Sequence, residues 1–179
     1  NLVKNTFPEN LDNMLTYIIE SIEAETMHIL YESKMVVHEG FELSGEILIG
    51  RVFRLLVLAR HGLNKEELRI LSHPGWRMGK CLPLGIWSLI YLLIEPILLS
   101  IHQPNSFQKR LKLKSEFLWT VRSRYVNDYE TNIDIHRSIS DYILQEYTKY
   151  HNGVKRVSWS KPPRKNVNVY ISNLIEQLI

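Results

Sequence analysis

One glycine between two apolar stretches, Gly62, sets most of what this chain can fold into. On its N-terminal side Ile47, Leu48, Ile49, Val52, Phe53, Leu55, Leu56, Val57 and Leu58 cover most of a helical surface, leaving Arg51 and Arg54 as a narrow polar stripe. A helix of that kind is predicted to be buried. Gly62 predicts where it stops, because a residue without Cβ takes the left-handed C′ conformation, and Leu63 can fold back to make the accompanying apolar contact. A second helix is predicted at once: Asn64 is a good N-cap, Glu67 can bond back to the Asn64 backbone in a capping box, and Leu68 and Leu71 face inward. Pro74-Gly75 predicts its end. The stretch Ile47–Ser72 therefore reads as a helix-turn-helix core, a scaffold that binds DNA in some proteins and packs against other domains in others.

A chain of 179 residues, 45% hydrophobic, has room for one medium domain with flanking pieces and a sizeable core. Its single cysteine, Cys81, has no internal disulfide partner, so a reducing, cytoplasmic setting is expected. The first residues are polar, lack an apolar signal core and do not begin with Met, which predicts a fragment of a longer protein. The longest apolar run, Ile86–Leu99, is short of a bilayer span and broken by Glu95-Pro96, so it reads as a core helix and no membrane partner is expected. Charge is uneven: residues 1–50 carry 9 acidic and 2 basic side chains, and the remainder carries 20 basic and 10 acidic. A basic surface that meets an acidic partner would give such asymmetry, and so would ordinary solvated faces.

Taken in order, Thr6-Phe7-Pro8-Glu9 predicts a helix start, followed by the face Leu11, Met14, Leu15, Ile18, Ile19 and Ile22, with Glu20, Glu23 and Glu25 off it. Residues 26–43 fit neither period well, and a third short helix is the expectation. After the central pair, His73–Leu84 reads as loop with Trp76 as a local anchor, and the helix from Ile86 should kink or end at Pro96. Gln103-Pro104-Asn105-Ser106 is a turn signal, and Arg110–Lys114 alternates basic and apolar residues as a half-buried strand does. A small hairpin, the wing of a winged helix, is expected here. Ser115 is expected to cap a helix carried by Phe117, Leu118, Val121 and Tyr125, and a further helix should begin near Asn132 or Asp134 and end near His151-Asn152-Gly153. Beyond it, a basic Pro-containing linker leads to an amphipathic helix carried by Val167, Tyr170, Ile171, Leu174, Ile175 and Leu178.

In this order, the segment Leu55–Leu68, Trp87 with Leu89 and Leu93, Leu111–Tyr125, and His136–Tyr142 resemble the winged-helix region that follows the NACHT-type nucleotidase module of STAND-class signalling NTPases, nearest to the nephrocystin-3-like branch with helical repeats. The resemblance covers residues 8 to 160. It implies a mainly α fold: 1–43 as the end of a helical bundle behind the nucleotidase, 44–152 as a winged-helix domain with a small β-hairpin, 153–165 as linker, and 166–179 as the first helix of a repeat array. It implies a non-catalytic regulatory module whose partners are its own nucleotidase domain, the downstream repeats and other proteins, with ATP or ADP bound by the parent protein. In several members a His at the strand-to-helix junction touches the nucleotide's β-phosphate. Ser115 stands there in this chain, a hydroxyl at a helix start without the cationic option of imidazole.

No GxxxxGK[ST] loop is present, so no P-loop cofactor site is expected within the chain. The seven histidines show no HxxxH or Cys/His ligand spacing, so no metal is expected and surface or packing roles are the ordinary reading. One alternative remains from the basic residues: Lys109, Arg110, Lys112 and Lys114 on the wing, with Arg122 and Arg124 on the next helix, form a cluster of the sort that contacts phosphates in nucleic-acid-binding winged helices. Against it, the second helix of the central pair, where base reading is expected, is acidic at Glu66 and Glu67. The linker cations Lys155, Arg156, Lys161, Arg164 and Lys165 read as solvated interdomain residues.

Overall fold

The computed structural model describes residues 10–102 and 109–154. The helix start expected at Thr6, the turn at Gln103–Ser106, the basic linker and the amphipathic segment over 166–179 lie outside the described residues. Within them the fold is mainly helical, with six α-helices and two small antiparallel hairpins.

The first helix, α1 (Leu11–Glu32), is capped by Asn10, whose side chain accepts from the Asn13 N–H at 2.8 Å. Its buried face is Leu15, Ile19, Ile22, Glu23, Thr26 and Leu30. That face is turned relative to the expected one: Leu11 is 61% exposed, and Glu23, expected off the face, is buried. The rotation follows from the close crossing with the next helix and from partners for Glu23 at Arg124 and Tyr125.

Residues 26–43 do not form a separate helix. The first seven continue α1, and then β1 (Val37–His38) pairs with β2 (Phe41–Glu42) across Glu39 and Gly40, both at positive φ (50° and 87°). That pair of left-handed residues matches the strand twist, as primed two-residue turns do.

The central pair forms as expected, with one difference. Helix α2 (Gly45–Leu58), capped by Ser44, ends at an extended Ala59, so Gly62 lies inside the turn and not at C′. It is left-handed all the same, at φ +73°. Helix α3 (Lys65–Ser72) carries the full capping box, Asn64 Oδ1 accepting from Glu67 N–H and Glu67 Oε2 accepting from Asn64 N–H, each at 2.8 Å.

After a 3-10 turn at Trp76–Met78, where Trp76 is buried, comes α4 (Leu84–Ile94). Pro96 stops it within a second 3-10 turn, Glu95–Ile97. Leu98 and Leu99, expected on that helix, instead open β3 (Leu98–His102), which pairs antiparallel with β4 (Lys109–Leu113) from Leu98↔Leu113 to His102↔Lys109. Next is α5 (Ser115–Tyr125). The last described helix, α6 (Tyr129–Val154), begins earlier than expected because Asp128 accepts from the N–H groups of Glu130 and Thr131. Leu15 and Ile19 of α1, Phe53 of α2, Leu68 of α3, Trp87 of α4, Val121 of α5 and Ile135 of α6 all belong to one continuous core.

Two glycines are required by this packing. A Cβ at Gly62 would stand 2.6 Å from the Leu111 carbonyl oxygen in a left-handed backbone, and one at Gly45 would stand 2.0 Å from the Glu23 carbonyl oxygen. Gly62→Ala and Gly45→Ala are each expected to lower stability by about 2 kcal/mol or more. Gly79→Ala, left-handed but facing open space, should lose about 1 kcal/mol. Urea unfolding of the three variants checks the order.

Candidate functional site

The six cations expected to act together are divided by the fold. Arg110 Nη1 pairs with Glu67 Oε2, and the two side chains are 19% and 16% exposed. Lys114 Nζ donates to the Pro96 carbonyl at 2.6 Å, tying the hairpin base. Arg124 reaches across to α1, binding Glu20 at 3.1 Å and Glu23 at 2.7 Å, while the Tyr125 hydroxyl donates to the same Glu23. Burial and the Glu23 carboxylate push the Tyr125 hydroxyl pKa up, so it stays a donor. Lys109 and Arg122 remain exposed, and Lys112 is half-buried. Ser115 is not the cap of α5. Lys114 holds that position without a side-chain bond, and the exposed Ser115 hydroxyl donates to Glu116 at 3.0 Å.

A cleft of about 530 Å³ opens where the Gly62 turn, α3, β4 and α6 meet, with Lys65, Glu67, Arg110, Tyr142 and Glu146 on its walls. Burial pushes the Glu67 carboxyl pKa up, against the opposing pull of Arg110 and the Asn64 backbone. The Lys65 ammonium lies 3.7 Å above the Tyr91 ring in α4. Within the cleft Glu67 and Arg110 answer each other's charge.

The polar stripe of α2 is an anchor and not a solvated edge. Arg51 Nε donates to the Leu71 carbonyl at 2.7 Å, and its guanidinium reaches Asp134 and Ser138 on α6. Arg54 Nε donates to the Tyr125 carbonyl at 2.6 Å. Burial pushes the Asp134 carboxyl up, but its bond to Arg77 and the charges of Arg51 and Arg77 outweigh that and hold its pKa below the ordinary value.

A histidine pair went unforeseen because its members are 35 positions apart. His73 is fully buried; its Nδ1 accepts from the Gly75 N–H at 3.0 Å, so Nε2 carries the hydrogen and donates to His38 Nδ1, also at 3.0 Å. Glu39, on the β1–β2 turn, is bound to Lys80 at 3.2 Å. Among the described residues no group of three or more His, Cys, Asp or Glu could hold a metal ion, and no helix is long and apolar enough to cross a membrane.

The surface that stands apart is the outward side of α4. The helix has no charged side chain along its whole length, LGIWSLIYLLI, and Leu84, Leu89 and Leu92 are 66%, 48% and 61% exposed. Its inward side, Trp87, Ile90, Tyr91 and Ile94, is buried. A smaller groove between Val57, Leu58, Val126 and the exposed Trp119 lies at the C-terminal ends of α2 and α5. The outward leucines are visible in the sequence only as part of a run that is apolar on all sides. No protein-family model, curated protein or solved structure matches the chain.

Two outcomes follow from the buried groups. Arg110→Ala leaves the largely buried Glu67 carboxylate without its cation and should cost about 2 kcal/mol or more, whereas Lys109→Ala should stay within about 0.5 kcal/mol, both read by urea unfolding. Burial and the neighbouring His38 lower the His73 pKa, opposed by Glu39 and reinforced by Arg51 and Lys80. A lowered histidine pKa means that the unfolded chain binds the extra proton first, so this contribution is complete above about pH 6.5 and is lost as pH falls below it. Stability measured across that range should fall more steeply for the wild type than for His73→Gln.

Proposed function

We propose that this chain is a non-catalytic regulatory module of winged-helix type, part of a larger NACHT-type NTPase, and that it works by docking on other parts of that protein. The order of its elements supports the winged-helix part. Helix α2, a single extended residue at Leu63 bridged to Leu111, then α3, α4 and the β3–β4 hairpin follow one another as helix, short strand, two helices and wing. In that arrangement the helix just before the hairpin takes the place of the recognition helix. On this reading α4, rather than the Lys65–Ser72 helix expected from the sequence, takes that place.

The observation that carries the reading is the outward face of α4. A helix that reads DNA needs Arg, Lys, Asn or Gln to reach base edges, and neighbouring cations to bind phosphates. This one offers Leu84, Ser88, Leu89 and Leu92, and three of the six cations expected nearby are bound to carboxylates or a carbonyl. Leucines at this exposure, on an uncharged helix, favour contact with another apolar surface. In such a parent, the nucleotide-bound state of the neighbouring module would set whether that contact is closed or open, through a two-state rearrangement of domains. On the same reading Ser115 stands where other members carry a phosphate-contacting histidine, but its hydroxyl is bound to Glu116 and offers no cation, so nucleotide sensing by this residue is not part of the proposal.

Two measurements test the reading. Fluorescence anisotropy with a labelled DNA duplex should show no binding at about 50 mM salt, and a strong signal that collapses by about 200 mM would favour the nucleic-acid alternative. The coding sequence ahead of Asn1 should contain a GxxxxGK[ST] loop; an upstream region without one would overturn the NTPase parentage.

A further inference from the structure

We propose that His38 and His73 form an acid-released latch, which holds the β1–β2 hairpin against the loop after α3 at neutral pH and lets the hairpin tip lift away in mild acid. The latch does not depend on what the parent protein is.

A chain of donors makes it sensitive. The Gly75 N–H donates to His73 Nδ1 at 3.0 Å, and His73 Nε2–H donates to His38 Nδ1 at 3.0 Å. Both rings must be neutral for this, since an imidazolium has two donors and no acceptor. The far end of the chain is a backbone N–H, which cannot reverse. A proton added at His38 Nδ1 therefore faces the His73 Nε2–H. Changing the tautomer of His73 only moves the conflict to its Nδ1 and the Gly75 N–H. Either way two donors meet where a bond had been, and His73 and Gly75 are both buried.

The surrounding charges do not remove the conflict. His73 faces His38 on β1, Glu39 on the hairpin turn, Arg51 on α2 and Lys80 on the loop, and of these only Glu39 favours its charged form. Glu39 is already bound to Lys80 at 3.2 Å, and Arg51 to Asp134 of α6 at 3.4 Å.

The hairpin tip is the part able to move. Strands β1 and β2 have two residues each, and Glu39 between them is left-handed. The loop it rests on is closed on itself, the Trp76 N–H on the His73 carbonyl at 3.1 Å and the Lys80 N–H on the Gly75 carbonyl at 3.3 Å. At the hairpin base Leu43 is fully buried, and its N–H holds the Val36 carbonyl at 2.7 Å. Release is thus confined to residues 37–42. It uncovers Gly75 by taking away the Phe41 ring, which packs edge-on against His73 with 5.5 Å between centroids and leaves no room for a Cβ at Gly75.

A ring that takes its proton only when released lowers the docking constant about tenfold between pH 7.5 and 5.5, and two such rings about a hundredfold. Native-state hydrogen exchange of the whole chain, corrected for the pH dependence of amide exchange itself, reads this at Gly75. Its protection should fall by more than about tenfold over that range, and should stay at least about tenfold below that of Val52 and Val121 in the core at both ends of it. No fall at Gly75 overturns the latch. So does protection equal to that of the core, because Gly75 would then open only with the whole fold. His38→Asn keeps an oxygen to accept from His73 but has no ring to titrate, so the fall should shrink to about tenfold. An equal fall in variant and wild type removes His38 from the device. Imidazole 15N shifts of the wild type give an independent check: His73 should be the Nε2–H tautomer at pH 7.5, and the opposite tautomer overturns the donor chain.

Discussion

Two hydrogen bonds join Leu63 to Leu111, the Leu63 N–H to the Leu111 carbonyl at 3.2 Å and the Leu111 N–H to the Leu63 carbonyl at 2.7 Å, and the rest of the fold is keyed to them. They form only because Gly62 permits the backbone to pass within touching distance of the strand. They also set which residues of β4 face which way. With Leu111 and Leu113 turned into the core, Arg110 is on the opposite side of the strand and meets Glu67. Glu67 is at the same time the third residue of α3 and closes its capping box. A change at the turn would therefore move a strand, a buried ion pair and a helix start together.

Among the described residues, several arginines of this basic second half and of α2 are engaged within the fold and do not add to a basic face. Several of them end helices. The last carbonyls of a helix lack partners of their own. Arg51 answers the Leu71 carbonyl at the end of α3, and Arg54 answers the Tyr125 carbonyl at the end of α5. Arg69 donates to the Leu82 carbonyl in the loop ahead of α4. A cation there also suits the negative end of the helix dipole. Arginine rather than lysine fits this task, since its fork can serve a carbonyl and a carboxylate at once, as Arg51 does with Leu71 and Asp134. Among the described residues, charge read along the sequence thus overstates the charge left exposed.

What was legible in the sequence was local. The capping box at Asn64 and Glu67, the break at Pro96 and the alternation around Lys112 depend on neighbours within a few positions, and each has its counterpart in the structure. What was missed is set by distant partners. Glu23 looks like a solvated residue until Tyr125 and Arg124, a hundred positions away, are known to meet it. The His38–His73 contact has no spacing signature at all. The β1–β2 hairpin did leave a trace, Glu39-Gly40 between short half-buried pairs, but a glutamate at positive φ is unusual enough to hide it. The exposed leucines of α4 were hidden differently. In a run apolar on every side, periodicity cannot separate the leucines that face the core from those that face out.

That last ambiguity bears on function. Residues that differ in burial but not in chemistry, such as Ile90 and Leu89, are side by side on α4, one fully buried and one about half exposed. A helix needing only to fill the core would gain solubility by exchanging Leu84, Leu89 and Leu92 for polar residues at no cost to the packing of Trp87 and Ile94. Each leucine kept outside adds apolar area exposed to water, at roughly 25 cal/mol for every Å² that a partner could remove. The face is therefore exposed apolar area that the packing of the core does not require.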